Sequence, residues 1–236
     1  MFVKSIKIVS SALFPIFRVD QITLNEIRVS VGGTGFFINS EGYFVSVAHI
    51  FHNTTLQTKY YYWGKLPEEV INPKILIEEI VRDDEHDIFV GKVGITTNQY
   101  LHLYNDISDI GRSVCISGYP LANITPNNQG GLELGGVRKY FQPSFVLDKA
   151  VVNMGRIAES NVIHDGFLVR DFGLFGMSGG PVFDIDGVVL GMQASVTAPR
   201  ISEGSDGRKI SVENAMVIRS NLILDFLARN NILINQ

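Results

Sequence analysis

Apolar and polar residues alternate in short runs along most of the chain, the period of two that marks half-buried strands. Phe14–Val19 and Ile27–Val31 follow this pattern, and Gly32-Gly33 is expected to turn the chain into Gly35–Ile38. Asn39-Ser40-Glu41-Gly42 is a hairpin signal from which Tyr43–Val47 returns. Tyr60–Trp63, Ile75–Val81 and Ile88–Val93 follow, and together these runs predict a first barrel over residues 12–95. Gln99–Ile110 reads as a connector. Ser113–Ser117, Phe145–Met154, Gly166–Arg170, Pro181–Phe183 and Val188–Met192 carry the pattern through residues 111–236, with a tight turn at Asp184-Ile185-Asp186-Gly187. Asn123–Gly136 and Pro199–Arg208 are polar and read as loops. Only the end of the chain changes period. Val217, Leu222, Ile223, Phe226 and Leu227 recur at helical spacing, predicting a helix over 220–230 that Ser220 or Asn221 caps and Asn230-Asn231 ends. The expectation is a single all-β domain, 1–236, of barrel or sandwich type with a terminal helix.

Composition supports a packed core. Of 236 residues, 45% are apolar and 19% charged, which leaves little room for long disorder. The net charge of −4 and the absence of any Lys/Arg run give no electrostatic basis for nucleic acid or an anionic membrane as partner. The single cysteine, Cys115, excludes an intramolecular disulfide and suits a reducing or bacterial setting. It sits in an alternating apolar run and reads as a core thiol. Lys4 and Lys7 precede the apolar run Ile8–Phe17, as in a signal peptide. Ser10-Ser11 and Pro15 interrupt that run and no small-residue cleavage site follows, so the segment is expected to be a strand and the protein cytoplasmic. No metal-ligand cluster and no phosphate-binding glycine loop is visible, so neither metal nor cofactor is expected.

Three short motifs carry chemistry. Gly176-Met177-Ser178-Gly179-Gly180-Pro181 surrounds a serine with glycines, which permit a tight turn and close approach to backbone N–H groups. Val45-Ser46-Val47-Ala48-His49 delivers a histidine from the end of an apolar strand. Glu85-His86-Asp87-Ile88-Phe89-Val90 places an aspartate at the mouth of another. Each alone suits an ordinary turn, strand end or acidic surface. In the order His, Asp, Ser, each beside its own strand, they are far more specific.

That order resembles the chymotrypsin/trypsin-like serine proteases, and most closely the bacterial HtrA (Deg)-type protease domain. Gly33–Ile38, Val47-Ala48-His49, Asp87-Ile88, Gly118-Tyr119-Pro120, Gly176–Pro181, Val189–Met192 and the terminal helix carry the resemblance, over about residues 12–230. It implies two six-stranded antiparallel β-barrels. It implies Ser178 as nucleophile, His49 as base, Asp87 as the orienting acid, and the N–H groups of Gly176 and Ser178 as the oxyanion hole. His52 and His86 are rival bases that lack the Ala-His pattern, while His102 and His164 are expected at the surface or at strand ends. Phe172 is expected at the floor of the primary substrate pocket, with Gly173, Leu174, Gln193, Ala194, Ser195 and Val196 in its walls. That floor favours a small or medium apolar side chain; a shift of one residue would bring in Asp171 and favour a basic one.

The chain departs from the family in two respects. Met177 stands where trypsin-like zymogens carry an ion-pairing Asp, so no switch of that kind is expected. No PDZ domain, usual in HtrA-type enzymes, is expected after Gln236, and control is expected to come from the loops or an activating protein partner. The resemblance implies a protein or peptide substrate. The alternative is a latent or inactive protease-fold binding module regulated by a partner.

Overall fold

In a computed structural model the chain is described except at residues 24–25, 53–57, 63–74, 107, 121–122, 127–131, 136–137, 158, 172, 198–199, 204–208, 212 and 235–236. It opens with a helix, α1 (Val3–Ala12). The strands of the first half are β1 (Leu13–Thr23), β2 (Glu26–Phe37), β3 (Tyr43–Ser46), β4 (Thr58–Tyr62), β5 (Ile75–Leu76), β6 (Glu78–Asp83) and β7 (Ile88–Lys92). Those of the second half are β8 (Ser113–Gly118), β9 (Asn123–Pro126), β10 (Leu132–Gly135), β11 (Tyr140–Ile157), β12 (Ser160–Val169), β13 (Pro181–Phe183), β14 (Val189–Thr197), β15 (Arg200–Glu203), β16 (Lys209–Ser211) and β17 (Asn214–Arg219). Helix α2 (Ser220–Arg229) follows.

β1 to β7 form one antiparallel sheet in the order β5-β4-β1-β2-β3-β7-β6, and β11-β12-β17-β14-β13-β8 close into a barrel. The architecture is the mostly-β, trypsin-like double barrel with a C-terminal helix. The first core is aromatic: Phe14 packs on Phe37, Phe44 and Tyr62, and Phe44 on Phe89. The second is smaller and aliphatic, built from Val114, Ile116, Val146, Phe167, Val182, Leu190, Val217 and the fully buried Met177. Met177 thus fills a core where an ion-pairing acid would need a partner.

Several sequence expectations are corrected. The N-terminal segment is helical up to Ala12 and extended only from Leu13. Ser5, Val9 and Ala12 lie on one face and are buried, a helical spacing that the interrupted apolar run disguised. Pro15 falls in β1, before its pairing with β4 begins at Ile16, so its missing N–H costs no bond on that side. Gly32-Gly33 does not turn the chain. β2 runs through both glycines, and Gly32 is an extra residue between the pairs Ile16–Gly33 and Phe17–Val31, a β-bulge. The first polar loop contains a short hairpin, β9–β10, and a second hairpin, β15–β16, begins in the other loop and ends just beyond it. Val217, counted with the helical spacing, belongs instead to β17, a barrel strand paired with β12 and β14 that the sequence pattern did not mark. α2 has no side-chain cap at its N-terminus; Asn221 Oδ1 accepts from the next N–H, of Leu222, at 3.1 Å. No helix among the described residues is long and apolar enough to cross a membrane.

Candidate active site

His49 lies on a single 3-10 turn, Ala48–Phe51, that leaves β3. The ring of Phe51 stacks on Phe89 of β7 with centroids 3.5 Å apart, which pins this turn over the strand that follows Asp87. Asp87 ends the β6–β7 turn with φ +58°, a left-handed conformation that is uncommon outside glycine. Asp83 braces that turn by accepting from the N–H groups of Glu85 and His86 at 3.1 and 3.0 Å.

The turn aims Asp87 at His49. Asp87 Oδ1 accepts the His49 backbone N–H at 2.8 Å, and Oδ2 lies 2.8 Å from His49 Nδ1. The carboxyl is buried, and desolvation opposes its charge; hydrogen bonds from His164 and His49, with their Coulombic attraction, outweigh that cost and hold it down to about 2. Asp87 is therefore a carboxylate at neutral pH. It keeps the proton of His49 on Nδ1 and the lone pair on Nε2.

Ser178 sits in the loop between β12 and β13. Gly176 and Gly179 have φ of +92° and +84°, and a Cβ on either would collide with backbone, with Tyr119 O at the first and Thr34 O at the second. The glycine run is thus a requirement of the turn. Met177 N–H donates to Leu174 O, Gly179 N–H to Gln193 O and Gly180 N–H to Met177 O. The N–H groups of Gly176 and Ser178 donate to no described residue. Ser178 Oγ lies 3.5 Å from the Ala194 carbonyl, and among the described residues no hydrogen bond joins it to His49.

Ser178, His49 and Gly176 open on one cleft of roughly 890 Å³. Gly173, Leu174, Gln193, Ala194 and Ser195, named from the sequence as pocket walls, line it; Phe172 lies outside the described residues. Val196, also named as a wall, lines it too; Met154, the almost fully exposed Phe175 and Glu213 do so without any sequence motif to mark them. Asp171 is not in the lining; its carbonyl accepts from Ala215. Gln193 is buried, and its Oε1 has no hydrogen-bond partner among the described residues.

A family model for the trypsin-like peptidase domain matches residues 33–192. The chain belongs to this family. Among solved structures, this peptidase domain resembles the active form of the Rv3671c protease from M. tuberculosis, with 18% identity, 98% of this chain and 85% of that one covered, and a TM-score of 0.65. It also resembles the inactive form of that protease, with 19% identity, 95% and 91% coverage and a TM-score of 0.61. The HtrA-type protease AlgW with a decapeptide gives 14% identity, 98% and 67% coverage and a TM-score of 0.66. No curated protein matches the chain in sequence.

The remaining histidines separate cleanly. His86 pairs with Asp83 at 2.9 Å, and His52 lies 3.9 Å from Asp84. His164 contradicts its expected surface position. It is buried in the middle of β12, with Nε2 3.0 Å from Asp87 Oδ2 and Nδ1 3.0 Å from Ser195 Oγ. A second Ser-His-Asp run, through Ser195 and His164, therefore shares the same carboxylate. Ser195 lies within β14, paired with Met216 of β17, and has no flanking glycine turn to supply oxyanion donors. Sequence reasoning missed His164 because the strand around it carries no motif.

Proposed function

We propose that this trypsin-like peptidase domain is a serine endopeptidase with Ser178 as nucleophile, His49 as base and Asp87 as its orienting acid. One observation carries the reading: the Asp87-paired His49 and Ser178 share a cleft with Gly176, and the N–H groups of Gly176 and Ser178 donate to no described residue. Ser178 Oγ attacks the scissile carbonyl carbon while its proton passes to His49 Nε2. The carbonyl oxygen becomes an oxyanion, and the Gly176 and Ser178 N–H groups receive it. Collapse breaks the C–N bond, and His49 returns the proton to the leaving amine. Water then repeats the sequence on the acyl-enzyme. The Ser178–His49 hydrogen bond, absent in the free site, forms as substrate closes the cleft.

The substrate is a protein or peptide. Leu174, Val196 and Gly173 offer apolar wall to the side chain before the scissile bond, while Glu213 adds an acid to the same cleft. The test is labelling with a fluorophosphonate, which reacts only with a competent serine, alongside Ser178→Ala. Labelling and peptide cleavage that both vanish in the variant support the reading. Cleavage that survives in Ser178→Ala would sink it. A second reading, a latent module that a protein partner switches on, draws on the Ser178 hydroxyl facing Ala194 O rather than His49. A folded wild type that takes no label favours it.

A further inference from the structure

Asp87 receives donors from both halves of the molecule. His49 reaches Oδ2 from the first sheet at 2.8 Å, and His164 reaches the same oxygen from β12 of the second barrel at 3.0 Å. The His164 ring is almost wholly buried, as is the carboxyl. With Nε2–H donating to Asp87, Nδ1 is left as an acceptor, and the Ser195 hydroxyl 3.0 Å away can donate to it. Ser195 Oγ also lies 3.6 Å from Met154 Sδ, and both residues line the cleft. A continuous polar chain thus runs from the cleft wall through Ser195 and His164 to Asp87 and on to His49. The β12 backbone adds a brace: Ile163 N–H donates to Glu85 O in the Asp87 turn at 2.7 Å.

We propose that His164 is a positioning residue, which with Ser195 behind it fixes the Asp87 carboxylate in the orientation and charge state that His49 requires. The inference rests on the serine peptidase reading and concerns a residue outside its triad. An oxygen that serves two imidazoles offers less charge to either one. Removing the His164 donor concentrates that charge on His49, which favours the protonated base and releases Asp87 to rotate. The titratable groups acting on Asp87 are His49 and His164.

The experiment compares His164→Leu and His164→Gln in the full chain. Gln retains an N–H donor at a similar reach, and Leu does not. For His164→Leu, kcat falls by about tenfold or more with KM nearly unchanged, and the acidic limb of the kcat/KM–pH profile moves up by roughly one unit. His164→Gln recovers most of kcat and returns the limb. A residue that served only packing would not move the limb or respond to the restored donor. A proton NMR spectrum with histidine nitrogen labelling supplies a readout independent of activity. Wild type shows two downfield imidazole N–H signals, His164→Gln one, and Asp87→Asn neither. An unchanged limb in His164→Leu, or an unchanged downfield spectrum in His164→Gln, overturns the proposal. If His164→Leu does not fold, the His164→Gln spectrum decides. Wild type that takes no fluorophosphonate label defeats the peptidase reading instead, and the spectrum still reports the His164–Asp87 bond.

Discussion

The N–H of Thr34 donates to the carbonyl of Ser178 at 2.8 Å, joining β2 of the first sheet to the serine loop of the second barrel. The same residue donates its hydroxyl to Gly176 O at 2.7 Å and accepts from Tyr119 N–H at 3.1 Å. The carbonyls of Gly176 and Ser178 are both held by Thr34, and the N–H groups of the same two peptide units, those of Met177 and Gly179, are held by Leu174 O and Gln193 O, so the backbone on both sides of the Ser178 N–H is fixed. Gly33 permits this approach, since a Cβ there would lie 2.7 Å from Ser178 O. Thr34→Val keeps the shape and the backbone bond but loses the hydroxyl. We expect kcat to fall by about fivefold, the ~1 kcal/mol of one hydrogen bond, while circular dichroism stays unchanged. Wild-type kcat in the variant would remove Thr34 from the support of the oxyanion site.

Asp87 predicts a pH dependence of stability. Its carboxyl is held at about 2 against an ordinary 3.8, so the folded state favours the ionised form. That stabilisation is fully present well above pH 3.8 and is lost as pH falls through 3.8 toward 2, a change of about 2 kcal/mol. Urea midpoints measured across that window should drop in wild type and change less in Asp87→Asn. Equal slopes in the two proteins would contradict the assignment.

Gly179 cannot carry a side chain. Its φ is +84°, and a Cβ would run into Thr34 O and the Ser46 hydroxyl. Gly179→Ala should destabilise the fold by about 2–4 kcal/mol or more, read from urea unfolding, and abolish fluorophosphonate labelling. Stability within 0.5 kcal/mol, roughly the level of a surface change, would show the loop to be more pliant than described.

Cys115 is buried, and burial pushes its thiol up to about 12. It should react with a thiol reagent at neutral pH only as fast as the protein unfolds, with the rate rising in urea. Immediate stoichiometric reaction of the native protein would contradict its place in the core.

Glu213 is the acid that lines the cleft, in the role the sequence offered to Asp171. Glu213→Gln should lower kcat/KM for peptides with a basic residue before the scissile bond by several-fold relative to those with an apolar one. An unchanged ratio would place Glu213 outside the path of the substrate side chain.

The local sequence determined much of this protein because its signals are local in origin. Strand periodicity follows from alternating faces, so most strand centres, the Asn39–Gly42 hairpin and α2 were legible from residue type alone. The glycines around Ser178 were legible because positive φ and crowded backbone admit nothing else. His49 and Asp87 could be named because the order His, Asp, Ser, each beside its own strand, resembles the trypsin-like proteases, although their pairing spans 38 positions. Tertiary structure decided what depends on who packs against whom. The face of α1 became a face only once a barrel covered Ser5, Val9 and Ala12. Gly32 became a bulge and not a turn because β1 offered a partner on both sides of it. His164 lies 77 positions from Asp87 in an unmarked strand, and Glu213 lies just before β17. Neither carries a signature, since a buried donor or a cleft acid is defined by its neighbours in space, and closure of the barrel is what supplies them.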